Sequence, residues 1–296
     1  MQLKFQADLT PKIKRLDIST KNLAVGSFIG DYKSVFKGHG IEFEGYRAYT
    51  LADDASLIDW KASMRSNNLL VREYVEERNL EIVFLLDVSN SMIFGSHQTL
   101  KFEYAAELVS SITNVLLQMG DGAGLVMFSD GIKNNLYANI GLKQYYLMLK
   151  NLVNLQYYGG ACDLPQALYY ANSNIKPRSI LFIISDFIGV GNQWTVPMKI
   201  ASKKFETVCF IVRDPRDNEL PADVGEVVVE DPFSENQLLV DVDTVKVAYK
   251  KQVEEDLKNL KKNFMKFGVE FIELDTSKPY VAPILRFFDM RRRRWR

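Results

Sequence analysis

The chain has 296 residues, 47% hydrophobic and 25% charged, with Lys plus Arg equal to Asp plus Glu at 37 each, so its overall charge points to neither nucleic acid nor a membrane surface. That length buries a sizeable core in one large domain or two modest ones. No apolar run approaches the ~20 residues that span a bilayer, and the start, Met1-Gln-Leu-Lys-Phe-Gln-Ala-Asp8, has no signal-peptide apolar core, so a cytoplasmic protein is expected.

In chain order, Leu9, Ile13, Leu16 and Leu23 recur at helical spacing after Thr10-Pro11, which predicts an amphipathic helix over 9–24. A basic segment punctuated by glycine, 26–40, reads as a surface loop. Alternating apolar and polar residues over 41–49 and 69–78 predict two strands around a short helical or turned segment. The charged residues there, Arg47, Asp59, Lys61, Arg72 and Glu73 among them, form either a solvated face or an ion network.

Ile82-Val-Phe-Leu-Leu86 is an unbroken apolar run ending at Asp87, the mark of a strand buried on both faces of a parallel sheet. An amphipathic helix over 100–119 follows, stopped by Gly120. Gly122–Phe128 reads as a buried strand and 132–137 as its antiparallel neighbour. Helices are expected over 142–155 and 165–174, and a third buried strand, 179–186, also ends in a carboxylate, Asp186. Further on come a helix near 194–204, strands at 206–212 and 226–230, a helix over 243–267, a strand at 269–274 and a helix near 279–289. Strand alternating with helix argues an α/β fold, a mostly parallel central sheet with helices on both faces.

Asp87, Ser89 and Ser91 place a carboxylate and two hydroxyls at i, i+2 and i+4 just past a buried strand, where open α/β sheets bind ligands. Hard oxygen donors of this kind suit magnesium or manganese. The bland alternative is a capped strand-to-helix turn. The pattern resembles the metal-ion-dependent adhesion site (MIDAS) of von Willebrand factor A domains. The two cysteines, Cys162 and Cys209, are too few for a disulfide framework, and two histidines without a Cys-x-x-Cys leave little for structural zinc or a His-based triad.

A longer resemblance carries through Gly40, Glu42-Phe43, Arg47-x-Tyr49, Asp53-Asp54, Ile58-Asp59-Trp60-Lys61-Ala62, Arg65, Leu70-Val71-Arg72-Glu73-Tyr74 and Glu77-Arg78. Gly120-Asp121-x-x-Gly124-Leu-x-x-Phe128-Ser-Asp130 continues it. These runs resemble the family numbered fifty-eight among the domains of unknown function, which carries a von Willebrand factor A-like domain. The chain departs from that family at Ala52 and at Ser56-Leu57.

The resemblance implies a three-layer, Rossmann-like von Willebrand factor A domain over 79–290, with a smaller N-terminal α/β extension over 1–78 and a basic tail over 291–296. It implies three ligand loops: Asp87-x-Ser89-x-Ser91, a second that usually supplies threonine, and a third at Ser185-Asp186. Where the family reads Gly-Gly-Thr-Asp-Leu, this chain has Gly160-Ala161-Cys162-Asp163-Leu164. Cysteine is a poor ligand for a hard cation, so either water or Asp163 replaces the missing oxygen, or the site is degenerate.

With Asp87 and Asp186 only partly compensating a bound Mg2+ or Mn2+, an open position would attract a carboxylate from another protein. The resemblance further implies work as a non-enzymatic adaptor for a MoxR-type AAA+ ATPase in protein-complex maturation. Two alternatives stand beside it. One is a magnesium-dependent phosphoryl-transfer hydrolase, although Ser89 stands where such enzymes carry a second acid. The other is nucleic-acid or acidic-lipid binding through Arg291–Arg296.

Overall fold

An apolar run such as Ile82–Leu86 has no polar face to offer water, and it lies in the middle of a six-stranded sheet. The computed structural model describes residues 40–50, 53–66, 68–77, 80–97, 99–221, 225–230 and 237–294. Its strands are β1 (Gly40–Ala48), β2 (Leu70–Glu77), β3 (Glu81–Asp87), β4 (Gly122–Phe128), β5 (Ile132–Asn139), β6 (Ile180–Ser185), β7 (Glu206–Arg213), β8 (Glu226–Glu230), β9 (Gln237–Asp241) and β10 (Glu270–Asp275). Its helices are α1 (Trp60–Ser66), α2 (Lys101–Gln118), α3 (Leu142–Leu152), α4 (Leu164–Asn174), α5 (Thr195–Lys204), α6 (Pro215–Asn218), α7 (Val242–Phe267) and α8 (Val281–Arg294). The helix expected over 9–24 and most of the loop expected over 26–40 lie outside the described residues. Among the described residues, no helix is long and apolar enough to cross a membrane.

The sheet order is β10-β7-β6-β3-β4-β5. All neighbours run parallel except β5, which pairs antiparallel with β4 at one edge. The chain winds outward from β3 through β4 to β5, then crosses back to β6 and winds the other way. The order therefore reverses between β3 and β6, and the crevice outside their carboxyl ends is where a doubly wound sheet presents its ligand site.

Alternate residues of each strand feed two separate cores. Ile82, Phe84 and Leu86 of β3 join Phe182 and Phe210 beneath α2, α3 and α8. Val83 and Leu85 face the other way and pack with Leu181, Ile183 and Ile211 beneath α4, α5 and α7. Three layers result, as the sequence predicts.

In the N-terminal region β1 and β2 form an antiparallel pair with α1 between them. Arg47 donates two hydrogen bonds to Asp53, at 2.6 and 2.7 Å, and Asp59 instead accepts the amides of Lys61 and Ala62 at the start of α1. The Arg72 and Glu73 side chains lie outside the described set.

Two features differ from the sequence reading. The short strand at 226–230 has a partner, β9, which was not expected. The last helix also runs on to Arg294, so the residues read as the start of a basic tail are helical. Arg291 is 7% exposed and pairs with Glu206 and Glu270, carboxylates at the amino ends of β7 and β10. Arginine favours helix, and a buried guanidinium with two acidic partners is not a solvated tail residue.

Candidate functional site

Asp87 is the last residue of β3 and is fully buried, as are Ser89, Ser185 and Asp186; Ser91 is 4% exposed. The Ser89 amide donates to Asp87 Oδ1 at 2.9 Å, and the Ser185 hydroxyl, from the end of β6, donates to Oδ2 at 2.6 Å. The Ser89 and Ser91 hydroxyl oxygens lie 3.1 Å apart. The first and third loops thus meet across the switch point, and Ser185, not singled out as a ligand by its sequence context, ties them together.

The second loop arrives through two glycines. Gly159 and Gly160 have φ of 118° and 92°, the left-handed side of conformational space that glycine enters freely. A Cβ on Gly160 would also sit 2.9 Å from Asp130 Oδ2. Asn90 and Gly160 exchange two hydrogen bonds, amide to carbonyl at 2.9 Å and amide to Asn90 Oδ1 at 3.0 Å, locking this loop to the first. Cys162 is thereby set with its thiol donating to Asp87 Oδ2 at 3.4 Å. Asp163 points elsewhere: its Oδ1 accepts the Gln166 amide at 2.9 Å and caps α4, with Pro165 in the first turn.

Asp186 is engaged by a residue the sequence reading missed. Lys101, at the first position of α2 and 1% exposed, donates to Asp186 Oδ2 at 2.7 Å and to Asp217 Oδ2 at 2.8 Å. Asp186 Oδ1 accepts the Ile188 amide. The only local hint was a lysine between Leu100 and Phe102 at the start of an apolar helix; Asp217 gave none.

These contacts set the electrostatics. Burial, reinforced by the charge of Asp186, pushes the Asp87 carboxyl up to about 6 against the pull of its hydrogen bonds from Ser185 and Ser89. Burial works to neutralise Lys101, but Asp186 and Asp217 outweigh it and hold the ammonium above its ordinary value. The Cys162 thiol is held well above its ordinary range by burial and then by the neighbouring Asp87 charge.

The donor set fits a divalent cation in part. Two oxygens on adjacent corners of a magnesium octahedron lie roughly 2.9 Å apart, close to the 3.1 Å between Ser89 Oγ and Ser91 Oγ. Among the described residues the hydrogen-bond donors to Asp87, from Ser89, Ser185 and Cys162, are all neutral. Asp186, in contrast, already carries the Lys101 ammonium. Among the described residues no group of three or more His, Cys, Asp or Glu is arranged to hold a metal, so an ion here depends on the hydroxyls.

Counted in chain order, the strands β5-β4-β3-β6-β7-β10 read 3-2-1-4-5-6. With the antiparallel edge strand and an Asp-x-Ser-x-Ser turn at the switch point, they define a von Willebrand factor A-like domain. The chain belongs to the family described as Protein of unknown function DUF58, whose model matches residues 45–259. It is similar to uncharacterized protein Rv1480 of Mycobacterium tuberculosis, at 27% identity over 295 residues, covering 96% of this chain and 90% of that protein. Among solved structures it is similar to the conserved hypothetical protein BatB from Bacteroides thetaiotaomicron, with a TM-score of 0.46 and 15% identity, covering 73% of this chain and 100% of that one. A von Willebrand factor type A protein from Catenulispora acidiphila superposes with a TM-score of 0.34 and 18% identity, covering 47% and 34% of the two chains. Strand order, rather than these superpositions, defines the fold.

Proposed function

We propose that this chain is a non-enzymatic protein-interaction module whose Asp87–Ser89–Ser91 turn takes a divalent cation and, through it, a carboxylate of a partner protein. The observation that supports this best is a fully buried carboxylate with only neutral donors, beside two hydroxyl oxygens 3.1 Å apart, at the sheet's switch point. A bound cation would supply the missing positive charge and an electrophilic position for an outside oxygen. Asp87, Ser89 and Ser91 would hold it, and Asp186, bound to Lys101, would act from behind through its charge. Ile93 and Phe94, 42% and 44% exposed and just after this turn, offer an apolar rim to a partner. The partner class that the family resemblance implies is a MoxR-type AAA+ ATPase, served as an adaptor in complex maturation.

Calorimetric titration of magnesium, manganese and zinc into the metal-stripped full chain tests the site. Binding of at least one ion, lost in Asp87→Ala, is expected. Absence of heat with all three, or heat unchanged in Asp87→Ala, would overturn the reading. Association with a MoxR-type ATPase, measured with the ion present and after chelation, tests the partner, and metal-independent or absent association would remove that part.

A further inference from the structure

We propose that the outward face of α1 binds the outward face of the β8–β9 hairpin on a second copy of this chain, so that copies join head to tail. None of the groups around Asp87 takes part, and the inference stands apart from the cation reading.

The run Ile58-Asp59-Trp60-Lys61-Ala62, through which the family resemblance passes, uses only part of itself to anchor α1. Asp59 accepts the Lys61 and Ala62 amides, and the buried Ser63 hydroxyl donates to the Asp59 carbonyl at 2.7 Å and accepts the Leu70 amide at 2.9 Å. Those contacts turn the other side of the helix outward. Trp60 and Met64, one turn apart, are 61% and 78% exposed. Lys61 and Arg65, also four residues apart, are exposed beside them, and among the described residues neither is paired with a carboxylate. A tryptophan, a methionine and an arginine held in water are the residue types that interfaces collect.

The complementary surface lies between α6 and α7. From Asp217 to Asp243 the chain carries nine acidic residues and no lysine or arginine. In the hairpin, Val228 stands opposite Leu239 and Glu226 opposite Asp241. Residues two apart on a strand share a face, so one face carries an apolar pair next to a pair of carboxylates. Val228 and Leu239 are 61% and 62% exposed, and Glu226 and Asp241 are exposed with them. Like charges directly opposite across a ladder are unfavourable, and cations brought from outside relieve them.

One molecule thus bears a basic apolar face and an acidic apolar face, and because both are exposed they do not meet within it. Two α1 faces together would set Lys61 and Arg65 against their own copies, and two hairpins would do the same with Glu226 and Asp241. Charge therefore selects the unlike pairing. Such a contact is heterologous: each new copy leaves one surface of each kind open, and assembly continues into a ring or a filament.

Sedimentation velocity of the metal-stripped full chain over a concentration series is the test. The average mass should rise with concentration past that of a dimer, fall with added salt and be unchanged by magnesium. Trp60→Ala with Met64→Ala should be monomeric, and so should Val228→Lys with Leu239→Lys. Mixed together, these two double variants should form a one-to-one dimer and stop there, since each retains the surface the other lacks. Circular dichroism of each variant separates loss of the contact from loss of the fold. A wild-type chain that stays monomeric at every concentration would overturn the inference, as would association that survives either double variant or appears only with the ion. Two monomeric variants that fail to pair when mixed would also overturn it, because the two faces would then not be each other's partners.

Discussion

Lys101 Nζ lies 2.7 Å from Asp186 Oδ2, and both side chains are 1% exposed. The same ammonium holds Asp217 at 2.8 Å, so one cation joins the start of α2, the end of β6 and the α6 turn. Replacing Lys101 with methionine keeps the packing but leaves two carboxylates facing each other out of water. A loss of about 3–5 kcal/mol is expected, read as a lower urea midpoint with an unchanged slope. Asp186→Asn should cost less, because Lys101 keeps Asp217, and the double variant should fall short of the sum. Additive effects would mean that the three groups are independent.

Asp87 is the opposite case, a buried carboxylate whose donors are neutral. Desolvating a charge without a counter-charge destabilises the fold, and sites kept for binding carry such costs. Asp87→Asn retains the shape while removing the charge. In metal-free protein it should therefore be as stable as wild type or more stable by up to about 2 kcal/mol, while any stabilisation of the wild type by added ion should vanish. Thermal unfolding with and without the ion measures both, and a clear destabilisation in the metal-free state would count against the argument.

The parts of this molecule that could be read from the chain are those with a local signature. Ile82–Leu86, Ile180–Ile184 and Val208–Val212 are continuous apolar runs that only a strand covered on both faces can bury, so the parallel sheet and its two helical layers followed. Asp87, Ser89 and Ser91 were legible because they share one turn. Lys101 was not: its partners lie 85 and 116 residues away, and a lysine at a helix start reads as solvated until the fold brings Asp186 and Asp217 to it. Arg291 was hidden in the same way, as one arginine in a run, the first of which turns inward. The strand β9 escaped because a few apolar residues after a loop have no periodicity long enough to show.

Asp214 should give the chain an acid-sensitive joint away from the cation site. Burial raises its carboxyl, but hydrogen bonds from the Ser96 hydroxyl and amide, the Arg216 amide and the Thr276 hydroxyl outweigh burial and hold it below its ordinary value. A depressed folded pKa means stability that is present above the unfolded value of about 4 and lost as pH falls through the folded one. Asp214→Asn should be less stable than wild type at neutral pH, with the gap closing as pH falls below the unfolded value of about 4. Urea midpoints of the two proteins across that range check it, and a constant gap would show that the acid group is not the source.

Arg291 closes the sheet's amino end, where it is 7% exposed and pairs with Glu206 and with Glu270, the latter at 3.3 Å. Arg291 lines a cleft together with Phe205, Phe271 and Phe287, so truncation removes packing as well as charge. Glu206 and Glu270 are 43% and 29% exposed, so water takes up part of their charge, and Arg291→Ala should cost about 1–3 kcal/mol, much of it lost packing. Arg291→Met, which keeps the stem, should cost less than Arg291→Ala. Adding Glu270→Gln to Arg291→Met should recover part of the loss, since it removes a carboxylate that the first change left without the guanidinium. A basic terminus acting on phosphate would behave differently: Arg291→Ala would leave unfolding unchanged and weaken retention on a polyanion column in a salt-dependent way. Denaturant unfolding and elution salt, measured on the same three variants, separate a helix-anchoring arginine from a phosphate-binding one.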